Sequence, residues 1–300
     1  MNNATPPPNF LTLDVEEYFQ VEAAAARLAP QDWDRWPCRL EPAVEEALRV
    51  LDAHRVKATF FVLGWVAQRQ PAIVRRIASA GHEIASHGMS HRMLHTMTPQ
   101  EFRGELADSR RLLEDLSGRA VVGFRAPTFS ITTRTAWALD VLAEEGFSYD
   151  SSVFPIRHDR YGVPGAPRWA HWARGPGGGR ILEIPPLVLR LAGRNVPVGG
   201  GGYLRLLPVR LAAWGLRAAQ RAGRPGMIYC HPWELDPGQP ILPMSRLNRW
   251  RHRVGLRRTA GKLRWLLRGF AFGCVRDSLP ALQSAATEEY DYGAGAPRQR

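Results

Sequence analysis

Apolar positions in the first half of the chain switch repeatedly between an extended pattern and a helical spacing of three and four. "FLTLDV" (10–15) reads as a strand, and "KATFFVLG" (57–64) as a short, fully buried one. Between them "EPAVEEALRVLDAHR" (41–55) places Val44, Leu48 and Leu51 on one helical face. "PAIVRRIASAG" (71–81) opens on a proline and stops at a glycine, which predicts a second helix. "HEIASH" (82–87) is a third strand. "TPQEFRGELADSRRLLEDLSG" (98–118) starts with a capping box, Thr98 and Glu101, has Pro99 at the first helical position and ends at Gly118. "AVVGFRAP" (120–127) predicts a strand, "TTRTAWALDVLAEEGF" (132–147) a helix closed by Gly146, and "SYDSS" (148–152) another strand. Strands alternating with helices predict an α/β fold on a parallel sheet, open or closed.

The second half is less regular. "PIRHDRYGVPGAPRWAHWARGPGGGR" (155–180) has no clear period, and its Trp and Tyr content favours an ordered, ligand-facing loop. "ILEIPPL" (181–187) and "GMIYCH" (226–231) read as strands, and "PVRLAAWGLRAAQRAG" (208–223) as an amphipathic helix. The glycines 199–202 lack the Lys-Ser/Thr of a phosphate loop and predict a tight backbone turn beside a site. One domain is expected over 10–284, including a C-terminal extension from about 240, with disordered ends at 1–9 and 285–300.

Composition adds limits. With 300 residues, 45% hydrophobic and 23% charged, the chain can bury a sizeable core. Three scattered cysteines exclude a disulfide framework. No apolar run reaches the ~18–20 residues of a membrane span. "MNNATPPPNF" carries no signal-peptide pattern, which points to the cytoplasm or the inner membrane face. The net charge of +12 is concentrated: no acid lies between Asp236 and Asp277, while ten Lys/Arg lie from Arg246 to Arg276. No nucleic-acid motif accompanies it, so no nucleic-acid partner is expected. The segment has three other readings: a lipid-facing helix with Leu247, Trp250, Leu256, Leu263 and Leu266 on its apolar side, a contact for an acidic polysaccharide, or a packed extension with a solvated basic face.

Ionisable residues recur at the C-terminal ends of the predicted strands: Asp14 and Glu16, His87 and His91, Arg125, Asp150 and His231. That is where parallel α/β enzymes assemble their sites. Two histidines four apart, with a carboxylate from Asp14 or Glu16, make a set that can hold a water-activating divalent metal. By spacing alone such a histidine pair is more often exposed or structural. Asp14 and Glu16 share one side of their strand, so one can bind metal while the other accepts a proton. Arg125 either orients one of them or forms a structural ion pair. His231 suits a separate general acid, or a buried histidine packed by Trp233. Cys230 points to the opposite face. Trp169, Trp172, Tyr161 and Tyr203 offer flat faces for sugar rings, as core aromatics also would, and Asp150 and Trp233 complete the substrate-contact candidates.

At these residues the chain resembles the polysaccharide deacetylase family (NodB homology, carbohydrate esterase family 4). The motifs are "LTLDVEEYF", "SHGMSH", "FRAPTFS", "YDSS" and "IYCHPWE", in the family's order. "VEEYFQV", "KATFFVLGWVA", "YDSSVFPI", "GGGGYLRLLP" and "HPWELDP" are similar to a subgroup linked to exosortase and PEP-CTERM exopolysaccharide loci, which also carries a basic C-terminal extension. The resemblance implies a distorted (β/α) barrel, a divalent metal (usually Zn2+), and removal of N-acetyl groups from amino sugars of a polysaccharide. It implies Asp14 as general base positioned by Arg125, metal ligands Glu16, His87 and His91, and His231 as general acid. Contact with a membrane or an exopolysaccharide assembly machinery would follow from the subgroup. Two positions depart from the family: the second acid is a Glu one residue further on, and Gly88 replaces a Ser/Thr, so that the loop's hydroxyl bond is either missing or supplied by Ser90. Competing readings are a hydrolase of small non-peptide amides and a non-catalytic glycan-binding protein.

Overall fold

The first strand, β1 (Asn9–Val15), is buried at every position and divides its side chains between two environments. Leu11, Leu13 and Val15 pack outward with the helices, while Phe10 joins an inner cluster and Thr12 and Asp14 sit on its side of the strand. The structure, a computed structural model, describes residues 8–294. The other strands are β2 (Thr59–Val62), β3 (Glu83–Ser86), β4 (Gly123–Phe124), β5 (Tyr149–Asp150), β6 (His171–Arg174), β7 (Arg180–Glu183), β8 (Val188–Leu191), β9 (Arg194–Pro197), β10 (Met227–Cys230), β11 (Phe272–Gly273) and β12 (Glu289–Asp291). The main sheet runs β10-β1-β2-β3-β4-β5-β7-β6-β12, with β11 against the start of β1, and β8 pairs with β9 separately. From β10 to β7 every pairing is parallel; β6 is antiparallel to β7.

This sheet curls on itself. Arg125, just after β4, reaches Thr12 and Asp14 on β1 and Met227 on β10 with one guanidinium. The gap between β7 and β10 is bridged by irregular backbone: Leu187 N donates to Met227 O at 3.0 Å and Tyr229 N to Gly199 O at 2.8 Å. The architecture is therefore a distorted (β/α) barrel, as expected, with a C-terminal helical extension. Phe10, Phe61, Tyr149, Leu182 and Met227 fill its interior, closed from one end by Val275, Leu279 and Leu282. Each such side chain contributes about 1.5–3 kcal/mol on burial.

Among the described residues ten α-helices surround the strands: α1 (Leu40–Ala53), α2 (Gly64–Arg69), α3 (Pro71–Ser79), α4 (Pro99–Ser117), α5 (Trp137–Glu144), α6 (Gly201–Leu206), α7 (Val209–Arg221), α8 (Arg246–Arg253), α9 (Leu256–Gly269) and α10 (Val275–Ala285). The capping box of α4 is complete: Glu101 N donates to Thr98 Oγ1, and Thr98 N to Glu101 Oε2, at 3.2 and 2.7 Å. Gly118 closes it at φ 65°. The glycine turn before α6 is a matter of space. A Cβ on Gly200 would lie 1.9 Å from the Tyr229 carbonyl oxygen.

Three expectations are corrected. The 155–180 stretch contains β6, and its glycines wrap the carboxylate of Asp140, which accepts from Gly177 N and Gly179 N at 2.9 and 2.8 Å. The tail is ordered at 285–294: β12 pairs with β6, and buried Tyr292 shares a 2.8 Å hydrogen bond with His171 Nε2. Asn9, expected to be disordered, belongs to β1; the rest of the expected N-terminal disorder (1–7) and 295–300 lie outside the described residues. Finally, Leu256, Leu263 and Leu266 are buried in the core, so the apolar side read as lipid-facing is occupied by the protein itself; only Leu247 and Trp250 remain exposed. Lys262 ties α9 down by donating to the carbonyls of Leu204, Arg205 and Leu207. Among the described residues no helix is long and apolar enough to cross a membrane.

Asp150, a candidate for substrate contact, is fully buried beside Glu183. Burial raises both carboxyls, and Asp150 raises Glu183 further, well above the usual range. The pair thus retains a proton that the unfolded chain releases above about pH 4.5. Its stabilising form is fully present below the unfolded value and is lost as pH rises. Glu183→Gln, neutral at every pH, gains on the parent by up to about 1.4 kcal/mol per pH unit above that point. Melting temperatures of both proteins between pH 5 and 8 check this; parallel curves would contradict it.

Candidate metal centre and active-site cleft

Three donors meet at the C-terminal ends of the first strands. A carboxylate oxygen of Glu16 and one ring nitrogen each of His87 and His91 lie within 4.8 Å of one another. His91 Nε2 is 2.6 Å and His87 Nε2 3.6 Å from Glu16 Oε2. The Nδ1 of His87 is 2.8 Å from the Arg125 carbonyl oxygen and donates to it, which leaves the Nε2 lone pair facing Glu16. Burial pushes the Glu16 carboxyl up, but the imidazoles of His91, His231 and His87 outweigh this and hold it well below the usual range. Two imidazole nitrogens and a carboxylate oxygen, brought to one point, fit a divalent cation that keeps open positions.

The loop between the histidines is built for this aim. Gly88 takes φ 77°, so a glycine replaces the hydroxyl residue there. Glu105 of α4 accepts from Met89 N and Ser90 N, both at 3.1 Å, and from Ser90 Oγ. Of the two alternatives, then, Ser90 supplies the loop's hydroxyl bond. His91 itself is held at φ 59°, and Thr128 and Phe129, which also border the cleft, are at 56° and 52°. Backbone in this region persists only where its surroundings enforce it. Glu105→Ala frees the loop and should weaken cation affinity about 10–100-fold, as loss of an outer-shell partner does; competition with a chelating dye measures it.

Beside the donors stands a second pair. Arg125 Nη1 donates to Asp14 Oδ1 at 2.6 Å and to Thr12 Oγ1 at 2.9 Å, its Nε to Ser151 O at 3.1 Å and its Nη2 to Ser151 Oγ at 2.8 Å. Its guanidinium lies over the Phe61 ring at 4.1 Å. A fully buried arginine with this many partners fixes the orientation of the carboxylate. Across the cleft, His231 Nε2 is 3.9 Å from Asp14 Oδ2 and 3.7 Å from Glu16 Oε1, and its Nδ1 is 2.9 Å from Glu234 Oε1. Burial lowers the His231 pKa, but Glu16, Glu234 and Asp14 override it and raise it to about 9. Trp233 stacks on His231 and its Nε1 donates to Glu16 Oε1 at 3.4 Å.

These groups form one end of a cleft of about 600 Å³, bordered further by Phe129, Tyr161, Tyr203, Leu206 and Arg251. Residues 31–148 match the polysaccharide deacetylase family. That stretch of the chain carries a polysaccharide deacetylase domain.

A domain of unknown function, DUF3473, matches residues 151–280, so His231 and α8 lie in the second match and His87 and His91 in the first. Among similar curated proteins, a chitooligosaccharide deacetylase of Bradyrhizobium is 36% identical over 98 residues, covering 33% of this chain and 42% of the relative. A peptidoglycan-N-acetylglucosamine deacetylase of Bacillus cereus is 33% identical over 125 residues, covering 37% and 46%. The chain thus spans less than half the length of these relatives. In fold it is similar to a Mycobacterium smegmatis protein assigned to the polysaccharide deacetylases, with TM-score 0.63, 21% identity and coverage of 99% and 97% of the two chains. It is also similar to PuuE allantoinase, with TM-score 0.57, 16% identity and coverage of 95% and 96%.

The structure brings together Asp14, Glu16, His87, His91, Arg125, His231, Tyr161, Tyr203 and Trp233. It does not bring Asp150, Trp169 or Trp172 to the cleft. Asp150 is locked to Ser152 and Glu183 in the interior. Trp172 lies on β6 under the Arg180 guanidinium, and Trp169 packs against the outer core. Sequence reasoning missed Glu234, Glu105 and Ser151. The spacing of Glu234 three residues after His231 was the available signal for the first, whereas Glu105 and Ser151 reach the site only through the fold.

Proposed function

We propose that the protein removes N-acetyl groups from amino sugars of an exopolysaccharide or its precursor, with a divalent metal, Zn2+ in the first instance, held by Glu16, His87 and His91. The observation that carries this reading is the convergence of that donor set with the Asp14–Arg125 and His231–Glu234 pairs at one end of the cleft. A bound divalent cation there would acidify water and polarise the amide carbonyl. Asp14, aimed by Arg125 through Oδ1, keeps Oδ2 toward the cleft and takes the proton of the attacking water. His231, held through Nδ1 by Glu234, presents Nε2 on the other side and donates a proton to the departing amine. Tyr161 and Tyr203 would offer faces for the sugar rings.

Acetate released from N-acetylated hexosamine oligomers, with and without a chelator, tests the proposal. The expected result is release that the chelator abolishes and Zn2+ restores. No release from any N-acetylated glycan, with metal present, would remove the reading. The fold likeness to an allantoinase favours one competitor, hydrolysis of a small amide; small amides run in the same assay separate the two.

A further inference from the structure

We infer that the cleft binds an amino sugar whose neighbour in the chain is an acidic sugar, with Arg160 and Arg251 holding the acid group. The amino sugar rests on the deacetylase reading above; the acidic neighbour rests on the charges at the rim.

The acids of the cleft floor already have partners. Asp14 faces Arg125, Glu16 faces the histidines, and Glu234 faces His231 and, at 3.6 Å, Arg205. The rim carries two acids, Glu22 and Asp159, and two arginines. Arg160, from the loop after β5, and Arg251, on α8, both border the cleft and are exposed. The ion pairs here are His158 with Asp159 and Arg205 with Glu234; among the described residues Arg160 and Arg251 pair with no carboxylate. Asp159 is 79% exposed. Both arginines border the same cleft as His158, Arg160 from the loop after β5 and Arg251 from the α8 wall. Burial lowers the His158 pKa, and repulsion from both Arg160 and Arg251 lowers it further, against the pull of Asp159.

This wall is held firmly. Arg205, buried under the cleft, donates through Nη1 to the carbonyls of Arg251, His252 and Val254 at 2.9, 2.6 and 3.2 Å, which fixes the end of α8. Its own Nε has no hydrogen-bond partner. An anion brought to guanidinium groups that have no carboxylate partner gains charge-assisted hydrogen bonds, and guanidinium groups match a carboxylate's geometry. Tyr161, stacked on His158 at 3.8 Å, stands beside them with a sugar-sized face. The fitting substrate is a glycan in which N-acetylhexosamine alternates with hexuronate.

The test is calorimetric binding of two tetrasaccharides to the full-length chain at low salt. One is built of N-acetylglucosamine and glucuronate, the other is chitotetraose. The acidic one should bind about 10-fold or more tightly, and the preference should disappear in Arg251→Gln and in Arg160→Gln. Arg160 lies in an exposed loop, so its variant keeps the test in force if Arg251→Gln misfolds. Arg268→Gln, which removes the same charge from an exposed α9 position outside the cleft lining, should keep the preference. The absence of any preference, or its equal loss in Arg268→Gln, overturns the inference. Acetate is assayed in parallel: selective binding of the acidic tetrasaccharide without acetate release would remove the deacetylase reading and leave the acidic subsite standing.

Discussion

Asp14→Asn should fold, keep its bound cation and lose turnover by about 10²–10⁴-fold, the range for removing a positioned general base. The asparagine keeps the shape and an oxygen for Arg125 Nη1, so the guanidinium retains a partner at 2.6 Å in the parent geometry. What it loses is the second carboxylate oxygen as a proton acceptor, the one facing His231. Acetate release, a melting curve and metal content on one preparation separate the three effects. Turnover within a few-fold of the parent would refute the assignment of Asp14 as base.

The second large effect is on stability. Arg125→Met should cost on the order of 3–5 kcal/mol, because it strands the buried carboxylate of Asp14 without its counter-charge. For a domain of this size that is a fall in melting temperature of roughly 10 °C. Combining it with Asp14→Asn removes the stranded charge, so the double variant should be more stable than Arg125→Met alone. The four measured stabilities close a double-mutant cycle. A cycle with no coupling would mean that Arg125 acts on the fold through Ser151 and Thr12 rather than through Asp14. The two experiments read one contact in two ways, since the arginine that holds Asp14 also ties the ends of β4, β1 and β5 together.

The parts legible in the sequence were those carried by local pattern. The period of two put Asp14 and Glu16 on one side, and both border the cleft; the helix signals at Thr98 and Gly118 matched the real caps. Strand-end placement pointed to Asp14, Glu16, His87, His91, Arg125 and His231 before any contact was seen. What failed depended on distant partners. β12 is a short, acidic and aromatic stretch whose order comes from β6 and His171, themselves part of an apparently irregular region. Asp150 sat at a strand end like the residues that border the cleft, but β7 lies beside it and covers it with Glu183. Trp169 and Trp172 have the right chemistry for sugars, and only topology shows that β6 carries them away from the cleft. Glu105 lies on the polar side of α4, where nothing in the helix period marks it as the anchor of the His91 loop.

The central claim is that Glu16, His87 and His91 hold a divalent cation, and metal content per chain tests it most directly. Elemental analysis of protein equilibrated with Zn2+ and freed of excess should give about one ion per chain, and none above background in His87→Ala/His91→Ala. Zero occupancy in the parent under the same conditions, or full occupancy in the double variant, would contradict the account.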